Sequence, residues 1–487
     1  MPKLIIHTGG ADRVIEFSGA PKVDDVLRIA GISTPHPCGG RGSCGKCAIV
    51  LSGSVSAPNE MEQRAGTRLS CQAVLLGDAT VTLPNAARDA RIETATSETA
   101  CALDPMEGRT GAAVDIGTTT IALKRYDLAT GACIGQAAAL NPQTAVAADV
   151  MGRIDAALSG RLEELRTQVT GAVEELLRAS GAQAVDSLVV TGNTTMLYLL
   201  TGRPPDSLAR APFEADTLFG ATVELFGGRT YLPPCMNAFV GADITCAVLA
   251  SGMCEKSETA LLCDIGTNGE MALWKDCVLY VTSTAAGPAF EGAGISCGCG
   301  SVPGAIDKVW LVNGMLHTHT IDNAPAVGVC GSGLIDAIAA GLMCEAIDET
   351  GALDDDELLL SNGIALQPRD IRAVQLAKAA IAAGILTLIE TSGAAYSDIS
   401  TLYIAGSFGS HLNVASAAAI GLIPQALANR VQVLGNAALS GAARTLLDRK
   451  NTAVLDRIAA VSQHVGLGGN PRFNEHYIDQ MLFGYGN

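Results

Sequence analysis

"GAAVDIGTTTIALKRYDLATG", residues 111–131, and "ALLCDIGTNGEMALW", residues 260–274, carry one signature: an apolar run, an aspartate, an Ile-Gly-Thr turn and a second apolar run. Short apolar runs on both sides of a glycine turn predict a β-hairpin in each case. The second Asp-Ile-Gly-Thr begins at Asp264, 149 residues after the first at Asp115. Each copy is followed by a later strand ending in glycine and hydroxyl residues, "SLVVTGNTTM" and "TLYIAGSFGS". An internal duplication accounts for both sets at once, and two like halves facing one cleft are the expected result.

A nucleoside triphosphate with magnesium needs N–H and hydroxyl donors for its phosphates, and carboxylates that hold the ion through its waters. The first turn offers Asp115, Gly117, Thr118 and Thr119, and the second offers Asp264, Gly266, Thr267 and Asn268. Asp243, in "FVGADITCAV", precedes the second hairpin, where it can orient attacking water or the ion. One such turn alone is weak evidence, because Asp-Gly-Thr turns are common at strand ends; two in register are specific. "GVCGSGLIDAIA", residues 328–339, opens a helix on Gly331, Ser332 and Gly333, which reads equally as nucleotide contact or as tight helix packing. The arrangement resembles the superfamily of acetate and sugar kinases, heat-shock chaperone ATPases and actin, in which duplicated ribonuclease-H-like halves close on ATP. That resemblance covers roughly residues 110–445 and implies that Asp115 and Asp264 are the phosphate-motif acids. It also implies that "AGSFG", Ala405–Gly409, is the adenosine turn, with Gly406, Ser407 and Gly409. A Walker lysine loop is not found, as such a fold requires.

Toward the N-terminus the character changes. "KLIIHT" and "RVIEFS" read as a hairpin, "VDDVLRIAG" as a helix, and "AIVLSGSVS" and "ATVTLP" as later strands. Between them lies "PHPCGGRGSCGKC", residues 35–47, with Cys38, Cys44 and Cys47 among glycines, and Cys71 follows 24 residues after Cys47. An iron–sulfur cluster needs four converging thiolates, and glycines let the backbone wrap closely around it. A structural zinc site also takes four cysteines but usually pairs two C-x2-C knuckles, and here there is one such pair. The spacing resembles that of [2Fe–2S] ferredoxins of β-grasp fold, with five residues between the first two cysteines, as in adrenodoxin-like members. The expected organisation is therefore an α+β β-grasp ferredoxin domain over residues 1–88, a linker over 89–110, and an α/β duplicated actin/sugar-kinase-like ATPase domain over 111–487, its halves about 111–258 and 259–487. His36 and Cys101 read as a loop residue and a free thiol, and the Cys297-x-Cys299 pair as part of a small-residue domain crossing.

Composition narrows the functions. The length of 487 residues implies several domains, and 48% hydrophobic with 17% charged residues excludes a disordered or coiled-coil chain. The first 90 residues hold nine Lys or Arg against eight Asp or Glu, so the net charge of −17 falls wholly after residue 90, which disfavours nucleic acid as a partner. Met1–Gly10 lacks a signal peptide's basic start and apolar run, and the most apolar stretch, "LAKAAIAAGILTLIE", is broken by Lys378. A cytoplasmic location with no membrane partner is the expectation, and 15 cysteines there mean mostly reduced thiols.

A cysteine-cluster domain tethered to a duplicated ATPase is the architecture of the reductive activators of corrinoid proteins. The resemblance extends through "GNTTM", "FVGAD", "GPAFEGAGISCG", "PGAI", "CGSGLID" and "GSFG", nearly the whole chain. It implies a [2Fe–2S] cluster, ATP and Mg2+ as cofactors, and a corrinoid protein and an external low-potential electron donor as partners. It further implies homodimerisation, and an activity that returns Co(II) cobalamin to Co(I) for a methyltransferase system. The chain departs from the pattern in a short stretch before the first hairpin and at "CGCGSVPGAI", which bear on partner docking. The alternatives are an activator of a radical dehydratase, a small-molecule kinase, and a non-enzymatic redox sensor.

Overall fold

The computed structural model describes residues 1–7, 12–30, 32, 34, 42, 47–83, 103–182, 185–361, 363–406 and 411–484. The N-terminal part is a five-stranded sheet built from β1 (Lys3–His7), β2 (Arg13–Glu16), β3 (Ala48–Val55), β4 (Arg68–Leu69) and β5 (Leu75–Thr82), in the order β2-β1-β5-β3-β4. β1 and β5 run parallel, and the helix Val23–Ile29 lies over the sheet, with Leu4, Ile6, Val26, Leu27, Leu75 and Val81 packed between them. That is the β-grasp arrangement of a ferredoxin domain. β5 starts four residues before the stretch "ATVTLP" that marks it in sequence, because Gly77 and Asp78 interrupt the alternation there. Gly53 is required opposite it: its φ is +103°, and a Cβ would lie 2.6 Å from the Asp78 carbonyl oxygen.

The body is two six-stranded sheets. In the first, β6 (Thr110–Ile116) and β7 (Thr120–Asp127) form the hairpin expected around Asp115, with β8 (Cys133–Leu140) beyond β7. β9 (Ser187–Gly192) pairs parallel to β6, and β10 (Ala221–Leu225) and β11 (Gly228–Leu232) complete the order β10-β11-β9-β6-β7-β8. The second repeats the plan. β12 (Thr259–Ile265), β13 (Gly269–Lys275) and β14 (Val278–Thr284) form the meander, and β20 (Ile399–Ala405), β21 (Val431–Gly435) and β22 (Ser462–His464) complete β21-β20-β12-β13-β14-β22. Between β14 and β20 the second half carries a small sheet of β15 (Ala305–Val312), β16 (Met315–Thr320) and β17 (Gly328–Val329), and a hairpin of β18 (Leu358–Ser361) and β19 (Ile364–Leu366). Both halves thus place an antiparallel hairpin beside a parallel strand, the plan of the actin and sugar-kinase ATPases.

The halves meet through two helices, Ala242–Ser251 and Ala437–Leu447, whose small residues let the backbones touch. A Cβ on Gly441 would lie 2.0 Å from the Cys246 carbonyl oxygen, so only glycine permits this crossing. The helix Pro368–Ser392 is long and apolar enough to cross a membrane, yet 78% of its most apolar stretch is buried. Its Lys378 is fully buried and donates to the Leu482 carbonyl at 2.7 Å, which marks it as a core helix of the second half.

Candidate functional site

Asp115 and Asp264 are the penultimate residues of β6 and β12, so the two hairpins deliver a carboxylate and a threonine turn to one place. The turns come together: the hydroxyls of Thr119 and Thr267 are 3.4 Å apart, although 148 residues separate them in the chain. Within the turns the glycine amides are engaged, Gly117 N–H with Thr120 O at 2.9 Å and Gly266 N–H with Asn268 O at 3.2 Å. The threonine hydroxyls are the side-chain donors that the two turns bring face to face. Both hydroxyls donate to Glu291, Thr119 to Oε2 at 2.6 Å and Thr267 to Oε1 at 2.7 Å.

Two asparagines brace the turns. Asn193 caps the helix Thr194–Thr201 and donates to Thr118 Oγ1 at 3.2 Å; Asn436 caps the helix Ala437–Leu447 and donates to Asp115 Oδ2 at 2.9 Å. Each follows a glycine at the end of a strand, Gly192-Asn193 after β9 and Gly435-Asn436 after β21, although these two strands hold different places in their sheets. Arg153 is fully buried under the first turn, donating to the carbonyls of Thr118 and Ala147 and to Gln143 Oε1. Burial lowers its guanidinium to about 9, against the pull of Asp149 and Glu291.

The floor of the cleft is acidic. Asp243 lies in the first turn of the helix Ala242–Ser251, and its N-cap Gly241 has no room for a side chain, since a Cβ would lie 2.3 Å from the Asn193 Cα. Glu270 faces Asp264 across the β12–β13 hairpin, whereas Asp115 faces Ala122 in the first. Burial raises all four acids: Asp115 to about 6, Asp264 to about 7 with added repulsion from Asp115, and Asp243 to about 8 with repulsion from Asp115 and Asp264. Glu270 is pushed well above the usual carboxylate range by burial, then by Asp243 and Asp264. Among the described residues, no three His, Cys, Asp or Glu side chains converge closely enough to ligate an ion directly.

These raised values set a pH dependence of opposite sign to an ordinary salt bridge. A carboxyl that binds its proton more tightly folded than unfolded stabilises the fold below the unfolded value near 3.8, and loses that contribution as pH rises through its folded value. The thermal midpoint of the ligand-free protein should therefore fall between about pH 4 and pH 8, and Asp243→Asn should flatten the fall. Calorimetry across that range checks it.

The other sequence-predicted residues divide. Gly406 closes on Asp264, with φ +93° and a would-be Cβ 2.7 Å from Asp264 Oδ1, while Ser407 and Gly409 lie outside the described residues. Gly331, Ser332 and Gly333 start the helix Gly331–Met343, buried against β15: Ser332 donates to Asp307 O at 3.0 Å, and a Cβ on Gly333 would meet Ile306 O at 2.2 Å. Their contacts are those of tight packing. In the N-terminal domain Cys47 and Cys71 are buried with sulfurs 3.2 Å apart, close enough to share one proton but unbonded. The Cys47 hydrogen bond lowers Cys71 to about 6 and that to Cys71 pushes Cys47 up, a donor pair suited to a cluster that would replace the shared proton. Cys38 and Cys44 lie outside the described residues, as do His36 and Cys101.

Residues 6–76 match the 2Fe-2S iron-sulfur cluster binding domain, residues 110–256 the RACo middle region, and residues 258–485 the C-terminal domain of RACo, the ASKHA domain. The corrinoid activation enzyme RamQ of Eubacterium limosum is 33% identical over 419 residues, 77% of this chain and 70% of the relative. The [Co(II) methylated amine-specific corrinoid protein] reductase of Methanosarcina barkeri is 28% identical, over 61% of this chain and 63% of its own length. A solved structure of a reductive activator for a corrinoid, iron-sulfur protein superposes with a TM-score of 0.74 at 26% identity, covering 100% of this chain and 99% of that one. With its cysteine domain, its paired threonine turns and these relatives, the chain belongs to the RACo family of reductive activators of corrinoid proteins.

Proposed function

We propose that this chain uses ATP to return the cobalt of a corrinoid protein from Co(II) to Co(I), one electron per turnover. When bound by Cys38, Cys44, Cys47 and Cys71, a [2Fe–2S] cluster supplies the one-electron chemistry, and an external low-potential donor replaces the electron delivered. The observation that carries the reading is the meeting of Thr119 and Thr267 over a floor of carboxylates, Glu270 buried and Asp115, Asp243 and Asp264 partly so, in a chain that also holds the buried Cys47–Cys71 pair. In the cleft, Thr119 and Thr267 would take phosphate oxygens from opposite halves, and Asp115 and Asp264 would be the residues to hold a Mg2+ ion. Asp243, whose carboxyl is raised by burial and then by Asp115 and Asp264, is placed to orient the attacking water. Gly406, the first glycine of the proposed adenosine turn, is pressed against Asp264 with no room for a side chain. ATP binds the closed arrangement better than the open one, and that difference is what biases the body toward the state that activates its partner. About 7 kcal/mol from hydrolysis corresponds to roughly 300 mV for one electron.

The test is anaerobic visible spectroscopy of a corrinoid protein mixed with this protein, a strong reductant, and ATP or none. The Co(I) band should grow only with ATP. A cluster-loaded protein that hydrolyses ATP but never produces the band would assign the electron to another acceptor, such as a radical dehydratase.

A further inference from the structure

Glu291 belongs to neither duplicated motif, yet it sits where the two meet. It ends the short turn Pro288–Glu291 after β14, and each of its oxygens accepts from one threonine, Thr119 at 2.6 Å and Thr267 at 2.7 Å. The chain around it is shaped to hold it there. Gly287, with φ +79°, donates its N–H to the Thr267 carbonyl at 2.9 Å, which ties this segment directly to the second turn. Gly292 follows with φ +76°, and a Cβ on it would lie 2.4 Å from the Cys299 carbonyl oxygen. Two oxygens on one carbon, each taking a hydroxyl from a different half, present the acceptor pair that two oxygens of a phosphate would present.

Given phosphate at the two turns, as proposed above, we infer that Glu291 is a built-in occupant of the phosphate site: it bridges the halves in the empty protein, competes with nucleotide for Thr119 and Thr267, and thereby admits nucleotide only with a divalent cation. The charge balance requires the last step. A metal-free triphosphate would bring its full charge beside acids that burial and mutual repulsion already hold above the usual carboxylate range, in a cleft that resists further negative charge, and it would displace Glu291 without neutralising it. Buried Arg153 answers part of this from beneath the first turn, where its Nη2 is engaged by the Thr118 carbonyl. A nucleotide that arrives with its cation meets both demands, since the ion offsets the phosphates and the released carboxylate together.

Titration calorimetry on the full-length, cluster-loaded protein tests this with Mg·ATP, with ATP in excess chelator, and with adenosine. The unsubstituted protein should bind Mg·ATP at least roughly tenfold more tightly than metal-free ATP. Glu291→Gln should bind Mg·ATP about tenfold more tightly than the unsubstituted protein, narrow the gap to metal-free ATP, and leave adenosine affinity unchanged, because adenosine has no phosphate to compete. Glu291→Asp keeps the charge but is too short to span both hydroxyls, so its gain should be smaller; it decides the matter if the glutamine variant does not fold. Unchanged or weaker Mg·ATP binding in these variants would overturn the inference and make Glu291 a support of the ion or of the fold. Failure of the unsubstituted protein to bind Mg·ATP at all would instead remove the phosphate reading of the turns, and the competition with it.

Discussion

Cys71→Ser should leave purified protein without the visible spectrum of a [2Fe–2S] cluster and reduce ATP-dependent formation of Co(I) to background. Cys71 is buried 3.2 Å from Cys47, so its replacement removes one of two sulfurs that already point at a common space. A serine hydroxyl keeps its proton at neutral pH and does not replace a soft thiolate toward iron. Mg·ATP binding should persist, because the hydrophobic cores of the N-terminal domain draw on Leu4 to Leu83 while those of the body begin at Ala112. Absorption spectra and nucleotide titration on one preparation separate the two effects. A variant that keeps its cluster would mean that Cys71 is not a ligand; one that loses both properties would mean that the domains are not energetically independent.

Asp264→Asn should reduce ATP turnover about 10²- to 10³-fold, the scale expected when a charged group that positions the reacting centre is neutralised. The same change should raise the thermal midpoint at pH 8. Asp264 is held at about 7 by burial and by the charges of Asp115 and Glu291, so the native protein carries an unfavourable carboxylate that an isosteric amide relieves. Activity and stability moving in opposite directions is the signature of a functional residue, because a merely structural carboxylate would lower both when removed. Steady-state phosphate release and a thermal melt at pH 8 read the two quantities. Retained turnover would shift the role to Asp115 or Asp243.

Local periodicity made the hairpins at Asp115 and Asp264 legible, and their repetition made the duplicated body legible, since each signal is complete within about 15 residues. Four of the five β-grasp strands are legible for the same reason, apart from the start of β5, where Gly77 and Asp78 break the alternation; β4, two residues long, carries no periodic signal. The site was legible only as far as it repeats. Glu270 takes its meaning from the cross-strand register with Asp264, and Arg153 from a helix folded beneath a distant turn. Glu291 carries no local pattern at all; the stretch around it reads as small residues at a domain crossing, and only the tertiary meeting of two turns gives it two partners. Asn193 and Asn436 each follow a glycine at a strand end, but on strands that hold different places in their sheets.

The β12–β13 register, where Glu270 stands opposite Asp264 while Ala122 stands opposite Asp115, bears on stoichiometry. Two identical copies about a twofold axis would offer a nucleotide two equivalent poses, and ATP itself has no such axis. One acidic and one small residue at equivalent places remove the equivalence, so base and phosphates have a single direction in which to lie. A chain that contains one fold twice should then titrate with one nucleotide, not two.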